Sequence, residues 1–406
     1  MKILLLTDVP PCQNLTAGLI LDQLCRFLPK GSIACFAVVN PSLNARISSD
    51  LDWIPIEYTE KPREFAFRVL PNKFGSFTAL INERYNSLVT KKIASKAVNF
   101  GQEFCPDIVW CVLQGQTMIR LALPVSKSLG VPLLTHVWDP PQWWMRANKI
   151  DSISSSLILK EFDVAIRSSD GCFTASWAMA QQYMRDYRTR TVPFISSIDS
   201  SFAFEPATNI HSGNDLIIGM AGQIYSVEEW NALITALEKV DWMICNRKVK
   251  IRLLGNKVRS DAKQDINIEF LGWKSQKETI KLMSEADILY CPYWFDKTFE
   301  DEARLSFPSK LTTYLAAGRP VLFHGPEYAS PAQFLEENNA GLCCYSLETG
   351  KIIDSLVRLV SEPDLYAKLT HNGTAAFNKY LTLESMKKRF ADFLQVEESF
   401  LVDVKS

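Results

Sequence analysis

Short apolar runs alternate along most of the chain with longer stretches in which apolar residues recur at helical spacing. Such runs read as buried strands of a parallel sheet, and the stretches between them as crossover helices. Ile3–Leu6 is the first run, and Ala17-Gly18 opens a helix with Ile20, Leu24, Phe27 and Leu28 on one face. Further strands are expected at Ser32–Val39, Asp107–Leu113, Val131–Val137, Gly171–Ala175 and Thr191–Ile195. Helices are expected over Thr117–Leu129, Ile153–Ser168 and Trp177–Tyr187, the last capped by Ser176. Residues 57–100 interrupt the alternation and predict a helical insertion. Residues 196–214 are polar and turn-rich and predict a linker.

The pattern then restarts. Strands are expected at Leu216–Ala221, Val249–Leu254, Asn267–Leu271, Asp287–Cys291, Arg319–Phe323 and Gly341–Tyr345. Helices are expected at Val227–Val240, Gln276–Glu285 and near Pro331–Asn338, with a largely helical end from Lys351. This predicts an α/β chain of two Rossmann-like, doubly wound domains, 1–195 and 215–382. A length of 406 residues suits two cores.

Composition narrows the function. Net charge is −1, which gives no general case for nucleic-acid binding. The charge is uneven: residues 1–195 carry 21 Lys and Arg against 16 Asp and Glu, and the rest 23 against 29. Eight cations lie within residues 61–96 beside two acids, with Phe65, Phe67, Phe74 and Phe77 interleaved. That stretch reads either as the solvated face of an insertion or as a surface that touches anionic lipid. Ten scattered cysteines and four histidines form no metal-ligand pattern. Most cysteines lie in apolar runs, as reduced thiols of a cytoplasmic protein do. The opening apolar run is too short for a secretion signal, and no run is long enough to span a membrane.

The most informative stretch is SFPSKLTTYLAAGRPV, Ser306–Val321. A short helix starts near Ser306 or Ser309, presents Leu311, Tyr314 and Leu315 on one face, and stops at Gly318. Its N-terminus would attract phosphate, and Lys310 adds a full charge in the first turn. A helix that packs on a sheet and binds nothing has the same pattern. The stretch resembles the donor-site helix of GT-B glycosyltransferases, in particular a polysaccharide-type subset of the retaining family 4, which reads P-S-K-L-x-E-Y-x-A-x-G-x-P-V. Pro308, Ser309, Lys310, Leu311, Tyr314, Ala316, Gly318, Pro320 and Val321 match. The two glutamates of that family's E-x7-E pair fall on Leu305 and Thr313.

The resemblance implies a GT-B fold, two domains facing across a cleft, with a final helix in 383–406 crossing back to the first. It implies a nucleoside-diphosphate sugar donor, no metal and no cofactor. By the family's pattern, Gly18 and Gly222 let backbone approach the donor phosphates, and Gly272-Trp273-Lys274 meets the base. The family's usual Arg and Lys after the loop glycine are missing, because Gly222 is followed by Gln223. Lys310 and Arg304 are inferred to replace them, although Arg304 also suits a surface pair with Glu300, Asp301 or Glu302. Asp50-Leu51-Asp52 lies far from any donor motif and is not read as a metal site. The stretch His136-Val137-Trp138-Asp139 ends a strand, where ligands of parallel sheets sit. The resemblance gives His136 and Asp139 the donor sugar and the acceptor. The reading is a glycosyltransferase acting on a saccharide or lipid-linked acceptor. The alternatives are an inactive GT-B protein that binds a saccharide or a partner enzyme, and a sugar-nucleotide epimerase.

Overall fold

The continuous apolar runs at the centres of the two sheets become strands that are buried throughout. The computed structural model describes residues 1–64, 75–255 and 265–403. Contacts divide the chain into two units, Met1–Phe194 with the segment from Lys387 onward, and Ile195–Met386.

The first unit begins β1 (Ile3–Thr7), α1 (Thr16–Arg26), β2 (Ile33–Val39) and β3 (Ile56–Glu60). It continues α2 (Gly75–Phe104), β4 (Ile108–Val112), α3 (Gly115–Leu129), β5 (Leu133–Val137), α4 (Pro141–Ala147) and α5 (Ser152–Arg167). β6 (Gly171–Thr174), α6 (Trp177–Tyr187) and β7 (Thr191–Pro193) complete its sheet. The strand order is β3-β2-β1-β4-β5-β6-β7, parallel throughout. Right-handed crossovers place α2, α3 and α5 on one face, where α2 packs on α3 and α3 on α5.

Two elements differ from expectation. Residues 56–60 are an edge strand on β2 rather than the start of the insertion, because Ile-Glu-Tyr-Thr-Glu carries the β-branched and aromatic residues a pleated edge accepts. α4 follows directly on Pro140-Pro141, a first-turn proline start. Phe65, Phe67, Arg68, Lys73 and Phe74 of the basic stretch lie outside the described residues.

The second unit runs β8 (Asp215–Ala221), α7 (Val227–Lys239), β9 (Met243–Ile244), β10 (Arg247–Leu254), β11 (Ile268–Gly272), α8 (Gln276–Ser284) and β12 (Ile288–Pro292). Then come α9 (Glu300–Leu305), α10 (Ser309–Ala316), β13 (Val321–His324), α11 (Ser330–Glu337) and β14 (Gly341–Cys344). α12 (Thr349–Ser361) and α13 (Pro363–Tyr380) follow, and α14 (Leu383–Leu394) leads into the segment that belongs to the first unit. The order β11-β10-β8-β12-β13-β14 is parallel, and β9 adds an antiparallel edge on β10. Its turn, Cys245-Asn246, holds both residues at positive φ, as a two-residue hairpin requires. Of the final stretch 383–406, α14 takes Leu383–Leu394, and Gln395 takes the left-handed conformation after it. From this end of the chain, Phe390 and Phe393 pack on Trp110 and Phe173 of the first unit.

The polar stretch 196–214 is folded onto the second unit. The end of α10 has carbonyls without helical partners. Phe204 N donates to Ala316 O at 2.8 Å and Ala207 N to Gly318 O at 3.0 Å. Gly318 has φ +64, and a Cβ there would lie 2.5 Å from Glu205 O, so only glycine permits both the helix stop and this approach. Further along, His211 N and Ile217 N donate to the two carboxylate oxygens of fully buried Asp287, at 2.7 and 2.8 Å.

Candidate functional site

Three glycines close the carboxyl ends of neighbouring strands in the second sheet. Gly222 (φ +88) follows β8, Gly255 (φ +120) follows β10, and Gly272 (φ +68) ends β11. Gly222 N donates to Leu254 O at 2.9 Å, and Gly255 N donates to Gly272 O at 3.0 Å. A Cβ on Gly255 would stand 2.8 Å from Gly222 O, so the end of β10 passes the end of β8 too closely for a side chain.

α10 points its first turn at this step. Pro308 is its N-cap, no side chain caps it, and no acid lies in the first turn. The partial positive charge of its amides is therefore not offset by a local carboxylate. Lys310 is half-buried, and its Nζ donates to Gln223 O at 2.9 Å. Its Cε lies 3.8 Å from where a Gly222 Cβ would stand. Burial lowers the Lys310 pKa, and Cys291 opposes the shift. One turn on, the buried Tyr314 hydroxyl accepts from Ala221 N at 2.8 Å and ties α10 to β8. Thus Gly222, Gln223, Ser309 and Lys310 come together, and a phosphate there would meet a helix N-terminus and an ammonium.

Other expected residues stand differently. Arg304 does not carry an open charge: its Nη2 is 2.7 Å from Glu300 Oε1, and its guanidinium lies 5.0 Å from the Tyr328 ring centroid. An i,i+4 pair on α9 accounts for this. Leu311 is fully buried, so only its backbone can serve a ligand, and its N–H already donates to Pro308 O at 3.0 Å. Thr313 is half-buried and Leu305 buried. Trp273, 69% exposed, and Lys274 project beyond the β11 tip.

In the first unit, Gly18 admits the protein's own loop. A Cβ there would lie 2.2 Å from Cys12 Sγ, and Cys12 N donates to Gly18 O at 3.1 Å. Packing against Cys12 is thus reason enough for a glycine at position 18. His136 is fully buried on β5, with Trp138 at 3.8 Å between ring centroids and Phe173 and Phe194 edge-on. Neither ring nitrogen has a hydrogen-bond partner. An imidazole sealed in an aromatic layer does not face a sugar, which corrects its expected role. Asp139 is half-buried just before α4.

Burial lowers the His136 pKa from 6.5 to about 3. The unfolded chain therefore binds the extra proton between these values, and stability falls as pH drops from 6.5 toward 3. The slope from this residue reaches about 1.4 kcal/mol per pH unit. His136→Phe should lose less stability than wild type over this window and behave alike above pH 7, as measured by urea midpoints across pH. Parallel profiles would contradict the assignment.

Sequence reasoning missed a buried group at the ends of β12 and β13. The Tyr290 hydroxyl lies between His324 Nδ1 (2.6 Å) and Glu229 O (3.0 Å), and His324 Nε2 donates to Ser346 O at 2.9 Å. Glu229, whose pKa burial raises, accepts from Phe295 N at 2.6 Å and holds the loop after β12. Only the aromatic residues of this loop hinted at it. Among the described residues, no three of His, Cys, Asp and Glu converge to hold a metal ion, and no helix is long and apolar enough to cross a membrane.

The chain has the GT-B fold, two parallel-sheet Rossmann-like domains, which it shares with solved structures. HepE of Anabaena, in complex with UDP, is similar over 97% of this chain and 100% of its own, at 14% identity and a TM-score of 0.65. Sucrose-phosphate synthase of Thermosynechococcus elongatus is similar over 97% and 98%, at 11% identity and 0.65. An α,α-trehalose-phosphate synthase of Burkholderia vietnamiensis is similar over 98% and 100%, at 12% identity and 0.61. Residues 233–382 match the family model described as Glucosyltransferase 3-like, C-terminal domain. No curated protein sequence matches the chain.

Proposed function

We propose that this protein transfers a sugar from a nucleoside-diphosphate donor to a hydroxyl of a saccharide or lipid-linked acceptor, in surface-polysaccharide or related glycan assembly. The observation that carries the reading is Lys310 at the uncapped start of α10, held against the Gly222-Gln223 loop. A leaving diphosphate gathers negative charge, and pre-placed donors and cations lower the cost of forming it. The GT-B fold adds support, since HepE is known with UDP and with UDP-glucose. We read the transfer as family 4-like, retaining and metal-independent, with the base of the nucleotide near Trp273 and Lys274 and the enzyme working on the cytoplasmic side.

A second reading has an observation of its own. Arg304 is already paired with Glu300, and Leu305 and Thr313 stand where the resemblance places glutamates. These features favour a retired GT-B protein that binds its ligand without chemistry. Incubating the protein with UDP-, GDP- and ADP-sugars without acceptor separates the two. Release of nucleoside diphosphate from one donor is expected for a transferase. Binding of that donor with no release at any protein concentration would leave the retired reading.

A further inference from the structure

Helix α2 is apolar on two sides. Its inner side buries Asn86, Thr90, Ile93 and Ala97. Its outer side shows Ile81, Tyr85 and Leu88 to solvent at 54, 62 and 58% exposure, spaced i, i+4, i+7. The inner side already packs on the domain, so burial within this fold does not explain the apolar outer stripe. Arg84, Lys91, Lys92 and Lys96 are exposed on the same helix, and no exposed acid lies between Ile81 and Ala97. Its one acid there, Glu83, is paired with Arg120 of α3.

α5, on the same face of the sheet, carries an exposed apolar stripe of its own. Ile153, Leu157 and Val164 are 46, 38 and 53% exposed and share one face. Arg120 joins the two helices, since its Nε also donates to Glu161 of α5 at 2.7 Å. The apolar side chains of α2 and α5 thus lie on the same side of the first sheet, beside a row of cations. The chain as a whole has net charge −1, so this charge is local.

We propose that the outer face of α2 and α5 rests on an anionic lipid bilayer. Apolar side chains on such a helix enter the headgroup boundary while its cations stay at the phosphates. From Ile81 to Lys96 the cations and apolar residues extend over roughly 22 Å, a line that suits a planar surface. An acidic protein would satisfy the cations and leave the apolar stripe wet.

Sedimentation with vesicles tests this on the full chain and needs no sugar donor, so its result is independent of transferase activity. Vesicles of phosphatidylcholine alone are compared with vesicles containing roughly a third phosphatidylglycerol. Wild type should pellet with the anionic vesicles and release at about 1 M salt, where screening acts within roughly 3 Å. Lys91→Gln/Lys92→Gln/Lys96→Gln should reduce partitioning at least about ten-fold, since each cation near the surface contributes roughly five-fold. Leu88→Glu should weaken it too, with an unchanged melting temperature. Failure of wild type to bind anionic vesicles, or equal binding by wild type and the triple variant, overturns the proposal. Retention on a polyglutamate resin without vesicle binding assigns the face to an acidic protein and overturns it as well.

Discussion

Alanine at Lys310 is expected to weaken binding of the preferred nucleoside diphosphate by roughly 10- to 100-fold, the value of a lost hydrogen bond to a charged group. The ammonium stands over the Gly222-Gln223 loop and has the Gln223 carbonyl as its hydrogen-bond acceptor there. A carbonyl satisfies a donor but does not neutralise its charge, so the site retains an attraction for phosphate. Arginine at this position should recover part of the affinity because it keeps the charge. Titration calorimetry of wild type and both variants with UDP, GDP and ADP is the measurement. Equal affinity of wild type and Lys310→Ala would take this residue out of the donor site. Because Lys310 is only half-buried, the fold should survive the change, and melting temperature checks that it does.

A larger effect on stability is expected from Asp287→Ala. This carboxylate is fully buried and accepts from His211 N, His211 Nδ1 and Ile217 N, at 2.7, 2.9 and 2.8 Å. Removing it takes the acceptor from two backbone N–H groups and from the half-exposed His211 ring, and each hydrogen bond to a charged group is worth about 1.5–3 kcal/mol. Because water can reach His211, the sum expected is about 3–5 kcal/mol. For a domain of this size that lowers the melting temperature by roughly 10 °C. Calorimetry with the second domain resolved reads the shift, and proteolysis should cut first near His211. A shift below about 2 °C would show that water or a neighbour replaces the carboxylate without strain.

The two effects differ in how readable they were. Lys310 stands in a stretch whose helix start, apolar face and glycine stop are local signals, and α10 begins at Ser309 and stops before Gly318 as they indicate. Asp287 gave no signal, since its partners are 70 or more residues away in sequence. The polar stretch 196–214 read as a linker for the same reason. Its composition is that of a loop, but the bonds that fold it onto α10 and Asp287 come from distant residues. His136 misled in the other direction. A histidine at a strand end looks functional until Trp110, Trp138, Phe173 and Phe194 are seen around it.

What the chain's own order determined was the alternation of strand and helix, the pair of parallel sheets, and the helix whose first turn carries Lys310. These follow from apolar periodicity and from glycine and proline punctuation, which act over a few residues. The tertiary structure alone decided which polar groups are reachable. It paired Arg304 with Glu300, sealed His136, filled the space beside Gly18 with Cys12, and set Lys310 against the Gly222-Gln223 loop. Solvent access and charge pairing depend on neighbours brought in from far along the chain, and no local pattern encodes them.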